Sequence, residues 1–480
     1  MRRLWVMAIL FIAFVSIVPN GPEAQVRRPN ILFAIADDWS WPHAGAYGDG
    51  VVRTPAFDRI ASEGALFTRA FCAAPSCTPS RGAILTGRAI HQLEEGGNLW
   101  SALPGKFKVY PELLEQAGYS VGMTRKGWGP GSLEGTGRKR NPAGPEFADF
   151  AQFLKGVSPG KPFCFWFGGR DPHRPYEKGS GIKAGMDPGK VVVPAWLPDT
   201  PEVRSDILDY YFEVQRFDRD VGALVALLEA GGHLDNTLIV ITSDNGMPFP
   251  RAKTNLHDSG SHMPLAMRWP GRVAAGQKIE AFAGLADIAP TLLDAAGIKP
   301  PAEMTGRSLL PVLAGRELAR EREQVIIERE RHANVRKGDL GYPARAVRNS
   351  RYLYIRNFRP ERWPAGDPEM HKAVGPYGDI DSSPTKEFIL DRRGEPSIAP
   401  YFSLAFEKRP AEELYDLARD PDQIRNVADR PEYTRARKEL RATLDRWMKK
   451  TNDPRAEGDD DRWDRYRYFG PAAQMPVGQK

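Results

Sequence analysis

Pro29-Asn30-Ile31-Leu32-Phe33-Ala34-Ile35-Ala36-Asp37-Asp38 is a continuous apolar run closed by two acids. It does not alternate apolar with polar residues, so it reads as a strand buried on both faces. Asn236-Thr237-Leu238-Ile239-Val240-Ile241-Thr242-Ser243-Asp244-Asn245-Gly246 repeats the idea far along the chain, again ending in oxygen-bearing side chains. Between the two, helical and extended patterns alternate. Residues 111–118 read as helix, 120–124 and 162–168 as strands, and 206–231 as a long helix with one apolar face. This order predicts an α/β unit, a mainly parallel sheet sandwiched by helices. Ligands of such sheets bind beyond the carboxyl ends of the strands, where both acidic clusters fall.

The character changes near residue 325. Residues 325–328, 344–348, 352–355 and 412–417 read as short strands, and 431–450 as a helix with Leu440, Leu444 and Trp447 on one face. We therefore expect a larger unit over 25–325, a smaller C-terminal α+β subdomain over 326–451 (antiparallel sheet plus helix), and a tail over 452–480 whose Tyr466, Tyr468 and Phe469 dock locally. At the N-terminus, Arg2-Arg3 precedes an apolar stretch over 4–18, Pro19-Asn20-Gly21-Pro22 breaks it, and Ala24 suits cleavage. Residues 1–24 thus read as a signal peptide, which predicts a secreted or periplasmic protein; an uncleaved anchor is the alternative. No later segment is apolar enough to cross a membrane, and no stable membrane association is expected.

The 480 residues, 41% hydrophobic and 27% charged, suit a soluble globular enzyme with a sizeable core. The net charge of +6 becomes +5 without residues 1–24, a mild excess that suits a polyanionic substrate. No nucleic-acid motif accompanies it. Three cysteines are too few for a disulfide framework. Cys72 and Cys164 read as small buried apolar residues, with pairing as the alternative.

Asp37, Asp38, Asp244 and Asn245 form an all-oxygen set that suits Ca²⁺ or Mg²⁺, whereas a zinc site would want His or Cys. A strand-end Asp-Asp taken alone is often only a turn or a helix cap. Cys77-Thr78-Pro79-Ser80-Arg81 is the other cluster. Pro79 fixes φ and suits a first helical turn. Residues from Ser80 on are expected to run helically, with the first-turn N–H groups facing an anion site and Arg81 one turn after Cys77 on the same side. A buried cysteine near a turn is the plain alternative.

Cys77-x-Pro79-Ser80-Arg81 followed by Leu85-Thr86-Gly87-Arg88 resembles the signature of the cysteine-type sulfatases. Asn30-Ile31 with Asp37-Asp38, and the segment from Gly118 to Lys126, resemble further elements of that family in the family's order. So do Ala286-Asp287-Ile288-Ala289-Pro290-Thr291, Gly306-Arg307-Ser308-Leu309-Leu310, and Glu413-Leu414-Tyr415-Asp416-Leu417. The resemblance implies an alkaline-phosphatase-like fold and oxidation of Cys77 to formylglycine by a maturation enzyme. It also implies Ca²⁺, with Mg²⁺ as the alternative, on Asp37, Asp38, Cys77, Asp244 and Asn245. Arg81 would hold the residue-77 hydroxyl and a sulfate oxygen, and Lys126 would bind substrate. Asp171-Pro172-His173-Arg174-Pro175 and the stretch from Asn245 to Pro250 resemble the N-sulfoglucosamine sulfohydrolases. They carry His173 over as a leaving-group acid and Lys253 as a sulfate-binding base. The family's K-x-H is broken at Trp128; His257 or His262 is the candidate replacement imidazole, and the Trp128 indole the candidate sugar platform. The expected activity is removal of sulfate from a sulfated saccharide. The alternatives are an O-sulfatase, a phosphate or phosphonate monoester hydrolase of the same fold, and a non-catalytic sugar-binding relative.

Overall fold

Asn30–Ala36 is buried along its whole length near the middle of an eight-stranded sheet. The computed structural model describes residues 28–316, 322–371, 375–458 and 460–471; the signal-peptide reading of 1–24 lies outside them. From edge to edge the sheet runs Ala283–Gly284, Ala65–Phe71, His262–Arg268, Thr237–Ser243, Asn30–Ala36, Phe163–Gly168 and Ser120–Arg125, with Gln277–Ile279 also paired to Ala65–Phe71. His262–Arg268 is antiparallel to both its neighbours, and the other pairings are parallel. The mainly parallel sheet is therefore present. Leu32, Ala34 and Ala36 enter one core while Ile31, Phe33 and Ile35 enter another. Helices covering both faces explain why the strand carries no polar alternation.

The long helix spans Pro201–Ala230 and so begins before residue 206, where apolar spacing placed its start. Thr200 is its N-cap, accepting from the Val203 N–H, and Pro201 occupies the first position. Those two residues were the better boundary signal, because caps rather than apolar spacing mark where a helix starts.

Gln324–Arg329, Ala344–Asn349, Tyr352–Asn357 and Glu412–Asp416 form a four-stranded antiparallel sheet in chain order. One face packs Ile327, Ala346 and Ile355 against Phe71, Leu256 and Phe282 of the large unit. The other packs Val347, Tyr354 and Leu414 against the helix Thr434–Lys450. That helix buries Leu440, Leu444 and Met448, and Trp447 sits half-buried beside them, so the buried row runs at i, i+4 and i+8. Beyond it, Trp463 is buried and donates to the Glu94 carbonyl, Tyr468 packs on Ala333 and Val335, and the Phe469 N–H donates to Trp100 O. Cys72, Cys77 and Cys164 are all buried free thiols. Among the described residues no helix is long and apolar enough to cross a membrane.

Candidate active site

Strand register brings the two acidic clusters together. Ala36 lies opposite Ser243 in the parallel pair, so Asp37-Asp38 and Asp244-Asn245 leave the sheet side by side. All four side chains are buried. Asp38 has φ 78°, a left-handed conformation that costs a non-glycine residue about 1–3 kcal/mol. Its N–H donates to Asp244 Oδ1 at 3.1 Å, and its Oδ1 accepts from Asn245 Nδ2 at 2.7 Å.

The Cys77 helix spans Cys77–Thr86 and so begins three residues before Ser80, from which the helical run was expected. Ser76 is the extended N-cap, and the Ser80 N–H bonds Ser76 O at 3.0 Å. Pro79 is the third helical residue and costs nothing there, because that N–H has no helical partner in any case. The free first-turn N–H groups are therefore those of Cys77 and Thr78. Gly87, at φ 66°, ends the helix and leaves no room for a side chain beside Met304.

Arg81 does not reach toward residue 77 with an open fork. Its Nε donates to Asp244 Oδ2 at 2.7 Å, and its terminal nitrogens donate to the carbonyls of Lys126, Gly127 and Ala36. It is wholly buried. Four of its five N–H groups are taken up in this way, which makes Arg81 the group that orients Asp244, and its second terminal nitrogen also lies 3.6 Å from Asp37 Oδ1. Lys126 and Lys253 do face the cleft. Lys126 Nζ lies 2.6 and 2.7 Å from the Asp37 oxygens, and Lys253 Nζ bridges Asp38 Oδ2 (2.8 Å) and Asp381 Oδ2 (3.0 Å). Burial alone would raise the Asp37 pKa, but Lys126, His173 and Arg81 outweigh it and hold the carboxyl well below its usual range. Burial works against the Lys253 charge too, and Asp38 and Asp381 overcome it. His173 is about a third exposed, with Nδ1 engaged by the Arg174 carbonyl at 2.5 Å and Nε2 3.8 Å from Asp38 Oδ2.

These groups line a cleft of about 920 Å³ that also exposes Cys77, Trp100, Gly127, Trp128, His332 and Tyr468. Cys77 Sγ is 3.6 Å from Asp37 Oδ1, and one ligand atom each from Asp37, Asp38 and Cys77 can meet around a single point. The donor set fits a hard dication on two further grounds. Asn245 Oδ1 is buried and has no hydrogen-bond partner, an expensive state for a carbonyl oxygen unless something else meets it. The four acids Asp37, Asp38, Asp244 and Asp381 also outnumber the cations Arg81, Lys126 and Lys253 paired with them. A monoanionic ligand would be repelled by that excess, and a dication reverses its sign.

The two candidate replacement imidazoles are elsewhere. His262 is stacked between Trp41 and Phe71 with Nε2 on the Thr68 carbonyl, and His257 is buried against Tyr415. Trp128 presents little of its ring. It is 5% exposed, its Nε1 is sealed without a partner, and the indole packs against Gly82 and Gly131. It supports the cleft wall and is not an open sugar platform. His332 and Asp381 were not identified from the sequence. His332 follows the end of Gln324–Arg329, the same strand-end position that flagged the acids. Asp381 lies in an irregular segment with no pattern to mark it.

A family model described as "Sulfatase" matches residues 29–139 and 145–298. A second, described as "N-sulphoglucosamine sulphohydrolase, C-terminal", matches residues 252–369. The chain is 31% identical over 484 residues to N-sulphoglucosamine sulphohydrolase of Homo sapiens, covering 90% of this chain and 92% of that protein. It is 29% identical to an ulvan-active sulfatase of Formosa agariphila, covering 94% and 82%. Among solved structures, one in complex with its substrate D-glucosamine-2-N,6-O-disulfate superposes with a TM-score of 0.66 at 21% identity, covering 90% of this chain and 100% of that one. That likeness carries the fold.

Proposed function

We propose that this chain, which belongs to the sulfatase family, hydrolyses the N-sulfate of glucosamine in a heparan-type saccharide. The observation that carries the reading is a likeness to N-sulphoglucosamine sulphohydrolase spanning nine-tenths of both proteins and continuing into the C-terminal unit. Lys253, His332 and three of the four strands of the small sheet lie inside the C-terminal match. An O-sulfatase acting on another polysaccharide is the second reading, supported by the 29% identity to an ulvan-active sulfatase. A phosphate or phosphonate monoester hydrolase is not favoured, because both family matches are to sulfatases.

In this reading Cys77 is oxidised to formylglycine by a maturation enzyme, and water adds to the aldehyde to give a geminal diol. Asp37, Asp38, Asp244 and Asn245 would hold Ca²⁺, with Mg²⁺ as the alternative, which when bound supplies positive charge that lowers the pKa of a neighbouring hydroxyl. One hydroxyl of residue 77 attacks sulfur, and the S–N bond breaks. Lys126 and Lys253 stabilise the charge on the sulfate oxygens. His173 delivers a proton from Nε2 to the leaving nitrogen. The second hydroxyl then loses its proton, the C–O bond to sulfate breaks, and the aldehyde is restored. An unmodified thiol has no second hydroxyl for that exit. Arg81 acts earlier, by holding Asp244. The signal-peptide reading of residues 1–24 places this chemistry in a secreted or periplasmic protein.

Release of sulfate from N-sulfoglucosamine and from glucosamine 6-sulfate, and of phosphate from a phosphate monoester, each followed by ion chromatography, tests the reading. The expected result is release from N-sulfoglucosamine by wild type and none by Cys77→Ala. Hydrolysis of the phosphate monoester alone would overturn it.

A further inference from the structure

The cleft contains an imidazole to which no role has been given. His332 lines it together with Cys77, Lys253 and Asp381, and comes from the far unit, just past the strand Gln324–Arg329. Its Nδ1 lies 2.8 Å from Ser76 Oγ. Its Nε2 makes no hydrogen bond among the described residues and is not among the sealed, partnerless atoms, so that edge of the ring is open to the cleft.

Ser76 makes the arrangement informative. It is the N-cap of the helix that begins at Cys77, the position where a serine ordinarily turns its hydroxyl onto a first-turn N–H. Here it makes no such cap. The hydroxyl is hydrogen-bonded to His332 Nδ1 instead, which leaves the Cys77 and Thr78 N–H groups free for an anion and forgoes about 0.5–2 kcal/mol of capping. A serine hydroxyl that donates to Nδ1 fixes the tautomer with hydrogen on Nε2. An anion at that edge selects the same tautomer, since a bare Nε2 lone pair would repel it.

We propose that His332 is a substrate-contacting residue of this site, donating Nε2–H to an oxygen of the sulfate group held over residue 77, with Ser76 setting its tautomer. The proposal rests on the sulfatase reading above. It gives the cleft an imidazole from a different part of the chain than residue 128. Burial pushes the His332 pKa down to about 4, so the ring is a neutral donor over the working range of pH and is not the leaving-group acid.

The test uses inorganic sulfate as the probe, titrated calorimetrically into full-length wild type, His332→Ala, His332→Gln and Ser76→Ala, with kcat measured on the same samples. Losing one charge-assisted hydrogen bond should weaken sulfate binding about tenfold or more in His332→Ala and lower kcat about 10²-fold. His332→Gln, which keeps an N–H donor, should recover most of both, and Ser76→Ala should lose part. Wild-type sulfate affinity in His332→Ala would overturn the proposal. So would an equal loss in Ala and Gln variants of unchanged melting temperature, which marks a packing role. If wild type neither binds sulfate nor releases it from any sugar, the sulfatase reading fails and this assignment with it.

Discussion

Arg81→Ala should be among the most damaging single substitutions in this protein, although Arg81 itself does not line the cleft. The guanidinium and the Asp244 carboxylate are both wholly buried and 2.7 Å apart. Removing one partner leaves a buried charge uncompensated, which costs about 3–5 kcal/mol. Three backbone carbonyls, of Ala36, Lys126 and Gly127, lose a donor as well. Set against a total stability of about 5–15 kcal/mol, the loss is a large share. Arg81→Lys keeps the charge but replaces a fork by one point, so it should cost about 1–3 kcal/mol through lost hydrogen bonds. Urea unfolding followed by tryptophan fluorescence measures both, in Ca²⁺ buffer and in chelator. The alanine deficit should be smaller with Ca²⁺ present, because the dication gives Asp244 a second partner. A loss below about 1 kcal/mol for Arg81→Ala in both buffers would refute the assignment of Arg81 as the group that holds Asp244.

Asp244→Asn and Asn245→Ala should each reduce the dication that copurifies, counted by inductively coupled plasma mass spectrometry, by more than the about 10–100-fold typical of losing an outer partner of a metal ligand. Chelator treatment of wild type should abolish sulfate release, and Ca²⁺ should restore it; full activity after metal removal would contradict the site. Glu213 is pushed up to about 7, first by burial and then by Asp171. Its favourable contribution is therefore complete below the ordinary carboxylate range and is lost as pH rises through about 7. Glu213→Gln should accordingly gain about 1–3 kcal/mol relative to wild type between pH 5 and pH 8, and a pH-independent difference in urea unfolding would refute this. Leu444→Ala, at a fully buried position, should cost about 2–5 kcal/mol, well above Trp447→Ala at its half-buried neighbour; the reverse order in thermal unfolding would contradict the packing described for that helix.

The large sheet was legible because a strand covered on both faces cannot hide its composition: Ile31 to Ala36 and Leu238 to Ile241 have no solvent side to make polar. The juxtaposition of Asp37-Asp38 with Asp244-Asn245 followed from the same strands, since polar side chains after two parallel neighbours end up adjacent. The antiparallel His262–Arg268 was not legible, because direction is decided by chain path and not by residue type. The helix start at Cys77 was missed because Pro79 marked the first turn and the helical run was taken from Ser80 on, when Ser76 in extended conformation was the boundary. Arg81 was expected to face the ligand because spacing gives the side of a helix but not which acceptors compete for a guanidinium. His332 is brought to the cleft by the packing of the small sheet on the large one, and Asp381 by its neighbours Tyr377 and Ile380 entering the large core, and no local pattern encodes either contact. Trp128 was read as a platform from residue type alone; its burial depends on Gly131, whose missing side chain leaves the space the indole fills.

The most direct test of the account uses a heparin-type disaccharide whose glucosamine carries both an N-sulfate and a 6-O-sulfate. It is incubated with wild type and with Cys77→Ala, and mass spectrometry follows which sulfate leaves, after the residue-77 peptide of the wild-type sample has been shown to carry the aldehyde. The account predicts that wild type alone removes the N-sulfate and leaves the 6-O-sulfate in place. Removal of the 6-O-sulfate with the N-sulfate retained, or equal removal by Cys77→Ala, would contradict it.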